Sequence, residues 1–189
     1  HQQGERLEDR WIVLGQWVDD DDRVKAQRSW VVGRKSGRTA LVLQFSAGGQ
    51  PFAESIVPGT EQQGTLLFYP GALQQRAKVA ERSGTVAVVQ DRLPGNSSIE
   101  AFLGGVALEL ARLPWLPAIG CVLHDVSLIP CEQQWHVRDR EGAALPLVGR
   151  DHWKALAITG GHAVDLTAEW DGHVLRPLGL FFEGRFRLP

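Results

Sequence analysis

The sequence predicts a β-rich α+β fold, in which antiparallel hairpins pack around one main helix at about residues 97–113. Runs rich in Trp and Val recur between Trp11 and Tyr69 with turn signals between them, and such residues favour strands. Downstream of Ser97, apolar residues recur at helical spacing. Near the end of the chain, apolar and polar residues alternate on both sides of Asp171-Gly172, which indicates a hairpin. These patterns favour hairpins, one main helix and one or two short helices.

We expect a single β-rich domain over residues 11–189, preceded by a flexible polar tail at residues 1–10. The stretch 113–120 carries two prolines and a glycine, so a division into two lobes is expected there. The chain begins at His1 and contains no Met, which predicts that it is a piece of a longer protein.

The early strands are predicted at Trp11–Val18 and in a hairpin at Trp30–Phe45, with Ser36-Gly37 as a two-residue turn. Residues Leu73–Arg82 fit either a short helix or an irregular passage, and both stay open. Pro177 lacks an amide hydrogen, which predicts an edge or a bulge for its strand. Further strands are predicted at Thr65–Tyr69, Thr85–Val89, Ile119–Leu123, Val126–Ile129, Gln133–Val137, Val164–Trp170 and His173–Leu178.

The main helix is predicted from a capping box, Ser97 followed by Glu100, and from the apolar stripe behind it. Pro114 ends the helix. Gly104-Gly105 inside it costs about 1 kcal/mol per Gly relative to Ala, which predicts close packing against another element. A second, short helix is predicted from an Asp151 cap to Gly160-Gly161.

Composition narrows the classes of protein. A net charge of −2 argues against a protein whose main work is wrapping nucleic acid, although a local basic patch stays open. No apolar run approaches the length of a membrane span, so we expect no membrane partner. The 2 cysteines form no disulfide framework, and no signal peptide is visible, which predicts a cytoplasmic location.

One set of Cys and His residues has a spacing that zinc could accept, namely C-x2-H-x6-C-x4-H at Cys121, His124, Cys131 and His136. The spacing matches no common zinc finger. The residues also fall on predicted strands, where alternation sends neighbours to opposite faces. We therefore expect structural cysteines, with no metal and no cofactor in this chain.

Three basic residues, Arg34, Lys35 and Arg38, lie at the predicted hairpin tip and are the expected partner-binding residues. A solubilising edge guard is the alternative. The run Asp19–Asp22 is expected to be a solvated turn. No nucleophile, Walker or dinucleotide motif occurs, and His124-Asp125 is an acid/base pair of low specificity, so the sequence favours a non-catalytic domain. An enzyme with a site that no motif marks stays open.

Two stretches of the chain carry a family resemblance. The first contains Trp30-Val31-Val32-Gly33-Arg34, Ser36-Gly37-Arg38 and Phe68-Tyr69-Pro70-Gly71-Ala72, and the second contains Glu169-Trp170-Asp171-Gly172 and Arg176-Pro177-Leu178. Together they resemble the region downstream of the zinc finger in bacterial SWIM zinc finger proteins. The SWIM signature itself, C-x-C followed by C-x-H, is missing, and Cys121 and Cys131 cannot supply it.

The resemblance implies an accessory or adaptor domain that mediates a protein–protein or regulatory interaction. It also implies a protein partner, such as a MoxR-type AAA+ ATPase or a von Willebrand A domain protein. No catalytic residue is carried over by the resemblance. A nucleic-acid-binding accessory domain is the alternative function.

Overall fold

The computed structural model describes residues 4–21, 24–47, 50–70, 75–149 and 152–189. The chain divides into two compact units, His1–Val89 and Gln90–Pro189, so the stretch 113–120 lies inside the second unit. The predicted β-rich class is confirmed, since strands form two sheets and helices contribute little. Within the described residues, no helix has both the length and the apolar character needed to span a membrane.

Five strands of the first unit close into a barrel in the order β1-β2-β3-β5-β4. Strand β1 pairs with both β2 and β4, and the pairing of β3 with β5 completes the barrel. The strands of this unit therefore form a barrel of their own. The prediction that the hairpins pack around the main helix applies at most to the strands of the second unit, which contains that helix. The strands are β1 (Arg6–Asp21), β2 (Val24–Gly33), β3 (Thr39–Ala47), β4 (Thr60–Phe68) and β5 (Arg76–Val88).

Strand β1 is long because it serves two neighbours. Its first half, from Arg6, pairs with β4, and its second half pairs with β2, with a register shift between Val13 and Gly15. Gly15 has a φ of 148°, which favours glycine and lets the strand bend around the barrel. Residues Arg6–Arg10, expected to be part of a tail, thus belong to the barrel.

The predicted two-residue turn in the first hairpin is wrong. The loop between β2 and β3 comprises residues 34–38, and it is closed by hydrogen bonds from the Gly33 amide to the Arg38 carbonyl (3.0 Å) and from the Gly37 amide to the Gly33 carbonyl (2.9 Å). Gly37 has a φ of 66°, as a left-handed loop residue requires.

Strand β5 starts at Arg76, so residues 76–82 of the segment Leu73–Arg82 are extended strand. Residues 71–74 lie outside the described residues. Inside the barrel, apolar side chains from every strand form one core. Its buried members are Trp11, Val13, Val31, Ala40, Leu66, Phe68 and Ala77.

The second unit is a six-stranded sheet in the order β11-β10-β9-β6-β7-β8, with two helices. Its core includes an edge-to-face contact between Phe102 and Trp170, with ring centroids 6.4 Å apart. The elements are α1 (Ile99–Arg112), β6 (Ile119–Pro130), β7 (Trp135–Arg138), β8 (Ala144–Pro146), α2 (Trp153–Thr159), β9 (Val164–Trp170), β10 (Leu175–Phe182) and β11 (Arg185–Arg187).

The main helix differs from its prediction at two points. Its N-cap is Ser98, whose hydroxyl accepts the Ala101 amide, so Ser97 does not form the predicted capping box. The close packing expected at Gly104-Gly105 is wrong, because a Cβ at either position would meet nothing within 4 Å.

The structure corrects one further local prediction in the second unit and confirms others. The two strands predicted around His124 and Asp125 are one strand, β6, whose pairing with β9 shifts between Leu123 and Val126. The Asp171-Gly172 hairpin is confirmed, and β10 has the predicted irregularity next to Pro177. Gly160 ends α2 in a left-handed conformation as expected, whereas the expected cap, Asp151, lies outside the described residues.

Candidate functional site

The closing seam of the barrel is short. Among the described residues, β3 and β5 pair only where Leu41 and Val42 lie opposite Arg76 and Ala77. Beyond these pairs the two strands diverge. The gap is covered by residues 54–57, which we call the strap. Its residues alternate between half-buried and exposed, as an extended segment that covers a core does.

Side chains hold the strap in place on both sides. On the β3 side, the amide group of Gln44 donates to the Glu54 carbonyl (3.1 Å) and accepts the Glu54 backbone N–H (2.7 Å). On the β5 side, Arg82 donates to the Ser55 carbonyl (3.0 Å) and forms an ion pair with the Glu54 carboxylate (3.0 Å). Gln44 is buried, so its amide must be hydrogen-bonded, and the strap satisfies it.

A bulge in β5 opens the barrel wall beside the strap. The register between β4 and β5 jumps from Glu61 opposite Ala87 to Gln63 opposite Ser83. Gly84, with a φ of 67°, turns the extra residues outward, and Gln62 donates to the Gly84 carbonyl (3.2 Å) across the gap. Bulges of this kind occur at barrel rims and redirect side chains.

Under the strap and the bulge lies a cavity of about 180 Å³ that opens to solvent. Its floor is the apolar core of the barrel, and Trp11 fixes one wall because its indole N–H donates to the Gly64 carbonyl (3.1 Å). Gln62, Gln63 and Thr60 supply polar groups along the lining. The main apolar lining residues are Trp11, Val13, Val31, Val42, Ile56, Leu66 and Val79.

The size of the cavity limits what can enter it. A cavity of about 150 Å³ with apolar walls holds one benzene ring, whereas sites for drug-sized ligands enclose about 300–1,000 Å³. At about 180 Å³, this cavity accommodates one group of the size of a Leu or Phe side chain. It is too small for a whole nucleotide or a coenzyme.

Charges at the rim of the cavity are matched in pairs. Arg82 lies beside Glu54, and Arg6 forms an ion pair with Glu81. These pairs are partly exposed, so each contributes little to stability. In the described part of the lining, the charges of Glu81 and Arg82 are therefore balanced by Arg6 and Glu54.

The predicted basic tip is built into the barrel. The Arg34 guanidinium donates to Glu61 (3.1 Å from Nε), and Arg38 donates to Glu5 (2.7 Å) while its guanidinium carbon lies 3.7 Å above the Phe68 ring. Lys35 is exposed. A partner that binds this tip would have to compete with Glu61 for Arg34 and with Glu5 for Arg38. Whether Arg34, Lys35 and Arg38 bind a partner stays a prediction.

Asp9 shapes the same loop from beneath. Its carboxylate accepts the backbone amides of Arg10 (2.7 Å), Lys35 (3.1 Å) and Ser36 (2.8 Å). Burial acts to raise the pKa of Asp9, but hydrogen bonds from the Ser36 hydroxyl and these amides outweigh it, so the pKa lies below its ordinary value.

The four Cys and His residues with zinc-like spacing are scattered. Cys121 is buried on β6, where burial raises the pKa of its thiol, and Cys131 is exposed. The His124 ring lies 2.9 Å from the Leu93 carbonyl, and the His136 ring lies 3.2 Å from the Gln134 carbonyl. In the described part of the chain, no three Cys, His, Asp or Glu side chains come together in a way that could hold a metal ion.

Asp125 belongs to an ion network in the second unit, and His124 lies beside that network. Arg92 donates through two nitrogens to Asp165 (both 2.8 Å) and through one to Asp125 (2.9 Å), while Arg140 lies 3.2 Å from Asp125. Hydrogen bonding to Asp165, and then to Asp125, raises the pKa of Arg92. The hydrogen bond from Arg92 is the main cause that lowers the pKa of Asp125.

This network has a structural task. Asp125 has a φ of 54°, an unusual conformation for a residue other than glycine, and it stands at the bulge of β6. Its backbone amide donates to Asp165 (3.1 Å), so Arg92 and Asp165 together hold the bulge.

Glu132, Cys131 and Trp153 line a different, largely polar cleft.

No protein-family model, curated protein or solved structure matches this chain. The site is therefore described by its own geometry. Sequence reasoning missed the cavity, since its lining comes from five strands and a loop that no spacing connects. One signal was available, namely Gly84 within a strand-like run, which is typical of a bulge.

Proposed function

We propose that this chain is a non-catalytic binding module, and that its barrel unit receives one apolar side chain of a protein partner. The observation that carries the proposal is the cavity of about 180 Å³, which is open to solvent and apolar at its floor. Protein–protein interfaces concentrate their binding energy in such anchors, where one large side chain fills a pocket that excludes water. An accessory or adaptor role, which the SWIM resemblance implies, agrees with this proposal.

Size and charge argue for a protein partner over a metabolite. A small metabolite would leave most of its surface outside a cavity of side-chain size. Among the described residues, the charged side chains at the rim are Glu81 and Arg82, and each is paired, so they form no cluster of cations for a phosphate and no cluster of carboxylates for a metal. A side chain on a partner protein needs only the apolar floor, since the rest of the interface lies outside.

The test is protein-observed NMR titration with N-acetyl amides of leucine, phenylalanine and aspartate. We expect the leucine and phenylalanine amides to shift the resonances of the lining residues with millimolar affinity, which corresponds to about 4 kcal/mol. The aspartate amide should shift none of them, because a carboxylate loses its hydration in an apolar cavity.

Two variants locate the binding. Val79 lines the cavity, so Val79→Phe should fill it and abolish the response. Val88 is on the same strand, does not line the cavity and is 68% exposed, so Val88→Phe is the matched control and should bind as the parent does. A response that is equal for all three amides, or that survives Val79→Phe, would contradict the proposal.

A nucleic-acid-binding module is the second candidate, and one observation favours it. On the outer face of β1–β3, the guanidinium carbon of Arg28 lies 5.3 Å from the centre of the Trp17 ring, and Phe45 is well exposed on β3. Aromatic and Arg side chains on a barrel of this topology can stack bases. The neighbouring Asp19 and the net charge of −2 oppose it. Binding of oligo-dT at low salt that is lost in Phe45→Ala would support this candidate.

A further inference from the structure

Helix α1 has small or apolar residues on two opposite faces. One face belongs to the core of the second unit, to which Ile99, Phe102 and Val106 contribute buried side chains. The opposite face repeats at the helical spacing of three and four residues, and it is exposed along its length. Because a helix that is apolar all round is usually buried, a second apolar face indicates a surface that a partner covers. We call this surface the α1 face, and its members are Ala101, Gly104, Leu108 and Ala111.

The middle of the α1 face allows a close approach. A Cβ at Gly104 or Gly105 would meet nothing within 4 Å, so no described residue covers this part of the helix. Leu108, one turn after Gly104, is 69% exposed, and Trp115, shortly after the helix ends, is 74% exposed. Large and small residues that alternate along a face interdigitate with a second helix of the same pattern.

Charged residues mark the two ends of the α1 face. Glu100 lies in the first turn of the helix and Arg112 in the last, and both are exposed. Arg112 lies 3.9 Å from Glu109, and this exposed pair holds it only weakly. Glu109, the third charged residue of the helix, follows Phe102 and Val106 by two turns and one turn, so it lies beside the buried face. The α1 face therefore has an acidic end, an apolar middle and a basic end.

We infer that two copies of this chain associate through the α1 face, with their helices antiparallel about a two-fold axis at position 106. Glu100 and Arg112 are equally far from that position in the sequence, so each Glu100 comes opposite Arg112 of the second copy. A parallel pair would instead place Glu100 against Glu100 and Arg112 against Arg112, and like charges repel. A two-fold axis repeats each contact, so one face supplies both sides of the interface.

The sizes of the facing residues fit the same register. Leu108 of one copy comes opposite Gly104 of the other, so the largest side chain of the α1 face meets the position that has none. Ala101 comes opposite Ala111, which keeps the two backbones equally close at both ends. A helix of a different protein would need this order of charges and sizes, whereas a second copy already has it.

The proposed interface is small. Helix α1 has 14 residues and is therefore about 21 Å long. One helix face of this length buries less than the roughly 800 Å² per partner that a standard stable interface buries. We therefore expect a reversible dimer with a Kd of about 0.1 mM, so that the chain is a monomer at low micromolar concentration.

Sedimentation equilibrium of the full chain, from far below to several times the expected Kd, tests the α1 face. Leu108→Glu should weaken the dimer about tenfold or more, since it places a carboxylate in the apolar middle. The new carboxylate lies four residues before Arg112, a spacing that stabilises helices, so circular dichroism should show an intact fold. Val88→Glu is the matched control, because Val88 is 68% exposed and lies on β5, and it should dimerise as the parent does.

Exchange of the two end charges tests the orientation. Glu100→Lys and Arg112→Glu should each weaken the dimer about threefold or more, because like charges then meet at both ends. The double variant should regain the Kd of the parent. Each substitution also opposes the helix dipole, so an effect on the helix alone would accumulate in the double variant instead of cancelling.

Three results would overturn the inference. The first is a parent chain that stays monomeric at several times the expected Kd. The second is a dimer that Leu108→Glu leaves intact, which would assign the association to another surface. The third is a double variant that does not recover when both single variants weaken the dimer, which would exclude the antiparallel register. The barrel cavity takes no part in these measurements, so the proposed function is tested separately.

Discussion

The carboxylate of Asp9 occupies the space that a side chain at Gly33 would need. A Cβ at Gly33 would overlap the Oδ2 atom of Asp9 and the hydroxyl of Ser36. The first hairpin loop of the barrel therefore depends on a glycine at the end of β2 and an acid on β1. Asp9 and Gly33 are far apart in the sequence, and the conformation of the loop requires both of them.

Replacement of Gly33 by Ala should destabilise the chain by about 1–3 kcal/mol, because the added methyl group displaces a buried, hydrogen-bonded carboxylate. Denaturant unfolding measures the change. The matched control is Gly104→Ala, where a Cβ meets nothing within 4 Å inside a helix, so about 1 kcal/mol of stabilisation is expected. Equal effects of the two substitutions would show that Asp9 does not restrict Gly33.

Asp9→Asn should lower the free energy of unfolding by about 1–3 kcal/mol at neutral pH, since buried amide donors lose a charged acceptor. The folded-state pKa of Asp9 lies below its ordinary value of 3.8. Its contribution is therefore complete above that value and is lost as the pH falls through the folded-state pKa. Unfolding curves from pH 7 to pH 2 should show the difference between parent and variant shrinking below about pH 3.8. A difference that is constant with pH would exclude the ionised carboxylate as its source.

Removal of the Gln44 amide should release the strap. Gln44→Leu leaves the backbone N–H and C=O of Glu54 without partners, which costs about 1–3 kcal/mol where they stay buried. Hydrogen exchange at the Glu54 amide should accelerate, because the strap opens to water. Gln133→Leu, at an exposed position, serves as the control and should leave that exchange unchanged. Unaltered protection in Gln44→Leu would mean that Arg82 alone holds the strap.

Arg92→Ala should destabilise the second unit by about 2–3 kcal/mol. The side chain of Asp165 is 7% exposed and would lose its bidentate partner, while the half-exposed Arg92 keeps the cost below that of a fully buried pair. Arg112→Ala removes an arginine that is 80% exposed and should change stability by less than about 0.5 kcal/mol. Similar small effects of both would show that the Asp125 bulge does not need Arg92.

Local signals predicted the local parts of the fold. The Asp171-Gly172 hairpin has its turn residues and its alternation within a few positions, and Pro177 excludes a regular ladder by its own chemistry. Ser97 and Ser98 are both acceptable caps by residue type, and the helix uses Ser98. Gly104 and Gly105 predict a packing site from their cost in a helix, but a Cβ at either position would meet nothing within 4 Å, so no contact within the described chain offsets that cost.

Long-range relationships were beyond sequence reasoning. Closure of the barrel depends on a parallel pairing between Leu41 and Arg76 that leaves no mark on either segment. The basic tip was visible, but its arginines find Glu5 and Glu61 only in the folded barrel. The division at Val89 and Gln90 has turn residues close by at Pro94-Gly95, but the stretch 113–120 is richer in proline and therefore carries the stronger local signal for a boundary.

The central claim is that the barrel cavity admits one apolar group, and an intermolecular NOE tests it most directly. The indole N–H of Trp11 lies in the cavity wall, so its resonance reports on the interior. With toluene as the probe, we predict NOEs from the toluene ring to Trp11 and to the methyl groups of Val79 in the parent and in Val88→Phe, with none to Trp11 in Val79→Phe. Absence of any NOE to Trp11 in the parent at saturating toluene would contradict the account.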